Sequence, residues 1–399
     1  MHKIESAKFL KEVMTNYFVG MGDSNKKIAW CTSVGPAELL RSFGFEVHFP
    51  ENHGALLGTT RTSGDFIPVA SKLGYSSDIC SYLTSDVGSY LSKNTPLMKH
   101  YGLSGVPKPD VLVYNTNQCR EVQDWLTFFA HEFNCPIVGV QSPRHLDEVK
   151  KADIDNVTAQ FKSMLPVFEQ ASGVKFDIDR FRETVRLSKE ATFLWKRSLE
   201  TARNIPAPIS FFDSTIHMGP IVVLRGTEIA KQYYEVLLKE LEGYVQQGSG
   251  IIENEKTRIY WEGMPIWGKL RYMSDLFARH NSAVVASTYC NSWIFDDFDE
   301  NEPFESTALA YSTIFINRSE KVKQDVMEKL IEEYKINGVV FHDSKTCFNN
   351  SNSRFGMPQR LKEKTGVETL VIEGDLCDLR FFSEAQTTTK IEAFIEQMN

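Results

Sequence analysis

VLVYNTNQC (residues 111–119) and VVFHDSKTC (residues 339–347) lie in opposite halves of the chain and share one pattern. Each begins as an apolar run of strand length, breaks into polar residues and delivers a cysteine at its far end, Cys119 or Cys347. Where strands alternate with helices the sheet is parallel, and ligands gather in the crevice outside the carboxyl ends of its strands. Both thiols are therefore expected to point into such a crevice, which makes them candidate metal ligands.

The alternation extends outward from both segments. Around the first lie 28–34 (IAWCTSV), a helix opened by Pro36 and closed by Gly44, 45–49 (FEVHF), a helix over 120–133 and a strand over 136–140. Proline inside the first turn and glycine just past the last are ordinary helix punctuation. The second set has strands at 258–261, 283–287, 338–342 and 369–372, with helices between them and a final helix over 384–398. Residues 146–246 read as long helices, apart from a proline-containing break at 205–209. The expected fold class is α/β, with two Rossmann-like parallel-sheet domains, 28–145 and 247–399. A helical section, 146–246, joins them and a helical segment, 1–27, precedes them. Each cysteine loop leads into a helix and a further short apolar strand, which suggests duplication of one unit. Two equivalent loops facing each other across a domain interface would form a single site.

Composition narrows the function classes. A chain of 399 residues with 42% hydrophobic content can bury a large core. With 44 basic against 52 acidic residues and a net charge of -8, it lacks the clustered cations of a nucleic-acid surface. No apolar run reaches membrane-spanning length, and the start of the chain has no basic, apolar and small-residue leader, so no membrane contact and a cytoplasmic location are expected. Seven cysteines, an odd number lying far apart, speak against a disulfide framework.

Buried free cysteines most often behave as small hydrophobes, and Cys135 and Cys290 fit that description. Cys80, in GYSSDICSYLTSDVG, follows a Gly-Tyr-Ser turn among polar residues and is the best third candidate ligand. There is no CxxC pair, so any shared site is made by folding rather than by local spacing. Three thiolates around a four-iron cluster would leave one iron open, as catalytic zinc keeps an open position.

At these residues the chain resembles a known family. AWCTSVGPAELL, FPENH, GYSSDICSYLTSDVG, NTNQC, GVVFHDSKTC and VIEGDLCDLRFFSEAQTTTKIEAF, in this order, are similar to the 2-hydroxyacyl-CoA dehydratases, especially their α-type subunit. The resemblance implies that Cys80, Cys119 and Cys347 hold a [4Fe-4S] cluster with one iron not ligated by cysteine. It implies elimination of water from an (R)-2-hydroxyacyl-CoA through a ketyl radical, started by one electron from an ATP-dependent iron-sulfur activator protein. It implies a related second, β-type subunit as partner. Benzoyl-CoA reductase subunits share this ancestry, so aromatic ring reduction is the alternative enzyme reading, and an electron-transfer subunit without chemistry is a third. SYLTSDVG lacks an arginine found in relatives at this place.

Ser33 and Glu51 match the family's polar residues beside the open iron. Both are expected at or just past the carboxyl end of a strand, where Ser33 could hydrogen-bond the leaving hydroxyl and Glu51 could carry a proton. The plain alternatives are a helix cap for Ser33 and a solvated loop charge for Glu51. His53 and His342 lie near the same loops and read as satisfied polar residues. The absence of GxGxxG after a strand, GxxxxGK[ST], HExxH and GxSxG means that the chain is not itself the ATP-using activator.

Overall fold

The computed structural model describes residues 4–398. The expected first and last segments reach residues 1–3 and 399, which lie outside the described residues. Two four-stranded sheets organise the chain, both wholly parallel. The first contains β1 (Ile28–Cys31), β2 (Glu46–His48), β3 (Val111–Asn115) and β4 (Ile137–Val140); the second contains β5 (Thr257–Glu262), β6 (Ser282–Ser287), β7 (Gly338–Ser344) and β8 (Glu368–Gly374). The spatial order is β2-β1-β3-β4 in one and β6-β5-β7-β8 in the other, so the two halves repeat the same topology. The central strands are buried on both faces and carry near-continuous apolar runs such as VLV and GVVF.

Strand order places the two starting segments centrally. Val111 pairs with Ala29 and Leu112 with Trp30, while Val339 pairs with Tyr260 and Thr369. The polar ends of β3 and β7 therefore open at the same carboxyl edge as their neighbours, with the cysteines just beyond. Residues expected as a strand at 28–34 stop pairing at Cys31, because the chain then turns, Gly35 N–H reaching Thr32 O at 2.8 Å.

Between the sheets run the long helices Lys151–Ser172, Ile178–Glu200 and Glu228–Gln246. Ile178–Glu200 packs on Glu228–Gln246 and on Ala37–Ser42 of the first half. A buried polar knot fastens this section to both halves. Arg225 and Glu38 are fully buried, 3.2 Å apart. Tyr311 donates to Glu38 at 2.6 Å and accepts from Arg225 Nε at 2.8 Å, Ser188 donates to Glu38 at 2.6 Å, and Arg225 also donates to Val222 O and Gly35 O. A buried pair satisfied in this way tolerates no loss of one partner.

The helix Ser81–Leu91, which begins at Cys80, packs on Ser63–Ser71. Their approach requires Gly88, since a Cβ there would stand 2.0 Å from the Phe66 carbonyl oxygen. Among the described residues no helix is long and apolar enough to cross a membrane.

Candidate functional site

A cavity of about 130 Å³ opens between the carboxyl edges of the two sheets. Ser33, Glu51, Cys80, Cys119 and Cys347 all line it, although the sequence spreads them from residue 33 to residue 347. Its remaining wall is largely aromatic and aliphatic, including Trp125, Trp293, Tyr82 and Ile314, and among the described residues no Lys or Arg lines it. A second cavity of about 350 Å³ shares Ser33, Glu51, Tyr82, Tyr289 and Trp293 with the first and runs outward beside the helix Ala7–Gly20.

Each of the three cysteines sits at the amino end of a helical turn. Cys80 precedes Ser81–Leu91, Cys119 lies two residues before Glu121–Phe133, and Cys347 precedes the 3-10 turn Phe348–Asn350. Backbone N–H groups of Tyr82 and Leu83 reach the Cys80 sulfur, that of Val122 reaches Cys119, and that of Asn350 reaches Cys347. Such donors and the helix dipole favour a sulfur that bears negative charge. Burial acts the other way and dominates, so all three thiols titrate high, Cys347 being pushed up to about 12. Cys119 is raised further by Cys80 and Cys347, and Cys80 by Cys347, because charges on neighbouring thiols repel.

Thiols that cannot ionise alone, with amide donors waiting at their sulfurs, suit a cationic centre. Among the described residues no three His, Cys, Asp or Glu side chains converge to hold a single metal ion. The thiols instead share one cavity wall, and an all-sulfur donor set of this kind suits an iron-sulfur cluster rather than a hard cation.

Glu51 lies in the first turn of Pro50–Thr59, a helix where the sequence suggested a loop. Its Oε1 accepts from Ser33 N–H at 2.9 Å and from Gln118 Nε2 at 2.6 Å, while its Oε2 is buried without a partner. Burial raises the Glu51 pKa, partly offset by these hydrogen bonds and by one from the Ser33 hydroxyl. The solvated-charge alternative is thereby set aside. Ser33 does not cap the next helix, whose cap position is Pro36 without a side-chain bond.

Residues 32–398 match the family described as 2-hydroxyglutaryl-CoA dehydratase, D-component. The chain belongs to that family. Among its relatives, a benzoyl-CoA reductase subunit of Thauera aromatica is 32% identical over 379 residues, covering 91% of this chain and 86% of its own length. The (R)-2-hydroxyisocaproyl-CoA dehydratase alpha subunit of Clostridioides difficile is 30% identical over 382 residues, covering 94% and 91%. The lactoyl-CoA dehydratase alpha subunit of Anaerotignum propionicum is 27% identical over 400 residues, covering 96% and 95%.

The other cysteines stand apart from the cavity lining. Cys135 is half-buried ahead of β4, and Cys290 is buried, 3.9 Å from the Thr215 hydroxyl. His53 is held in the core between Asp86 at 2.5 Å and Thr95 at 2.6 Å, and His342 meets Met264 O at 2.6 Å. Sequence reasoning missed Gln118, although its place between β3 and Cys119 is the signal that could have found it. It also missed Glu262, a buried carboxylate at the end of β5 that lines the cavity. Asn352 at 2.6 Å, Tyr260 at 3.0 Å and Thr288 hydrogen-bond both of its oxygens, and burial raises its pKa.

Proposed function

We propose that this chain is the α-type subunit of an iron-sulfur 2-hydroxyacyl-CoA dehydratase working in the cytoplasm. In this reading Cys80, Cys119 and Cys347 hold a [4Fe-4S] cluster with one iron left without cysteine. Units 28–145 and 247–399 are its sheet domains, joined by 146–246. The observation that carries the reading is one cavity lined by three helix-end thiols together with a carboxylate that keeps a free oxygen. When bound, such a cluster supplies one-electron chemistry to the thioester after activation by an ATP-dependent iron-sulfur protein.

The chain's own residues bind, orient and move protons. Ser33 N–H and Gln118 fix Glu51 Oε1, which leaves Oε2 to give or accept a proton at the substrate. The raised pKa suits that exchange near neutrality better than an ordinary glutamate would. Ser33, beside it, orients the departing hydroxyl. Trp125, Trp293 and Ile314 keep water from the reacting atoms. The second cavity gives the acyl-CoA a path to Glu51, and a related β-type subunit completes the enzyme.

Aromatic ring reduction is the second reading, favoured by the 32% identity to a benzoyl-CoA reductase subunit. The test is the complete complex purified without oxygen. About four iron and four sulfide per chain are expected, with release of a 2-enoyl-CoA from an (R)-2-hydroxyacyl-CoA once the activator and ATP are added. A dearomatised product from benzoyl-CoA, without dehydration of any 2-hydroxyacyl-CoA, would replace the first reading by the second. Zinc or no metal would overturn both.

A further inference from the structure

We propose that Asp375 is a positioning residue that ties the Cys80 and Cys347 segments into one unit and stands as a fixed negative charge behind them. It lies just past β8, fully buried. Its Oδ1 accepts from Ser81 Oγ at 2.5 Å, Cys377 N–H at 3.1 Å and Asp378 N–H at 3.0 Å. Its Oδ2 accepts from Thr346 N–H at 2.9 Å, Thr346 Oγ1 at 2.5 Å and Ser344 Oγ at 3.4 Å. An acceptor-only carboxylate suits a ring made of hydroxyls and backbone N–H groups.

The partners matter for where they sit. Ser81 follows Cys80, and Thr346 precedes Cys347. Ser81 N–H closes the ring by donating to Thr346 Oγ1 at 3.1 Å, and Ser81, Ser344 and Thr346 are all buried. One carboxylate thus sets the separation of two thiols that come from different halves of the chain. Groups behind metal ligands govern their orientation and affinity, and local charge and hydrogen bonding govern the potential of iron-sulfur centres. A buried negative charge opposes the arrival of an electron beside it, which lowers the potential.

The charge part of the inference rests on the cluster reading above, whereas the tie between the segments does not. The complex with its partner subunit is purified without oxygen as wild type, Asp375→Asn, Asp375→Glu and Ser81→Ala. Three readouts are taken: iron per chain, the midpoint potential followed by EPR, and the rate at which Cys80, Cys119 and Cys347 are alkylated by a maleimide in the metal-free protein. Asp375→Asn is expected to raise the potential, to weaken iron retention by roughly tenfold or more, and to speed alkylation of Cys80 and Cys347 relative to Cys119. Ser81→Ala keeps the charge, so its potential stays at the wild-type value while Cys80 alkylation rises. Asp375→Glu restores the potential at least in part. Wild-type potential together with wild-type alkylation in Asp375→Asn overturns the inference. If that variant does not fold, Ser81→Ala and Thr346→Val carry the test, and unchanged alkylation in both overturns it. A wild-type complex without iron refutes the proposed function, and alkylation alone then decides the tie.

Discussion

Glu51→Gln separates proton handling from architecture. Glutamine keeps an oxygen to accept from Ser33 N–H and Gln118, the two bonds that fix Oε1 at 2.9 and 2.6 Å, and puts its amide nitrogen where Oε2 has no partner. The chain should therefore fold and keep the iron of the proposed cluster. Loss of a positioned acid-base group costs roughly 10²- to 10⁴-fold in rate, or about 3–5 kcal/mol of transition-state stabilisation at 1.36 kcal/mol per decade. The assay is turnover of an (R)-2-hydroxyacyl-CoA by the activated complex, with iron content measured on the same sample. Melting temperatures against pH give an independent check. Burial raises the Glu51 pKa above the ordinary value of 4.5, so the folded chain holds this proton where the unfolded chain has released it. Wild-type stability consequently falls as pH rises from the ordinary glutamate value through the raised one, whereas glutamine does not titrate. The melting temperature of Glu51→Gln minus that of wild type should climb across that window and level off above it. Turnover equal to wild type, or a difference that falls with rising pH, would refute the assignment.

Replacing Cys80, Cys119 or Cys347 with Ser should strip or degrade the proposed cluster, and full iron in any one variant removes that residue from the ligand set. Cys135→Ser should leave iron intact, because that thiol is not among the cavity residues; iron loss there would undo the ranking of the thiols. Gly88→Ala should destabilise the chain by about 1–3 kcal/mol or more, since the added Cβ meets the Phe66 backbone at 2.0 Å; an unchanged denaturant midpoint would contradict that packing. Arg225→Met should cost about 3–5 kcal/mol by leaving Glu38 buried and unpaired, read in the same melts; a neutral result would mean that the knot is not what joins the three sections.

The strands were the most legible part of this chain because β1, β3, β5 and β7 are buried on both faces and carry apolar runs with little interruption. Their parallel arrangement followed from the alternation with helices. The helix Pro50–Thr59 escaped notice because PENHGALLGT contains two glycines and a polar start, so its helicity comes from packing rather than propensity. The partial burial of Glu51 was hidden for the same reason. That Cys119 and Cys347 would share a cavity could be suspected from strand ends, whereas Cys80, set after a turn between two helices, could not be placed with them from spacing. The partners that fix the site, Gln118 on Glu51 and Asp375 on Ser81 and Thr346, are contacts made only by the completed fold.

The repeated topology has a consequence for biosynthesis. Cys80 and Cys119 belong to the half made first, while Cys347 follows more than half a chain length later. A ribosome exposes two of the three thiols long before the third exists, and every strand of the first sheet is made before it. On the proposed cluster reading, assembly on the three sulfurs waits until the second sheet has been made and docked. On that reading maturation is a late event, and a chain truncated before β7 would leave two orphaned thiols open to oxidation or to scavenging the wrong metal.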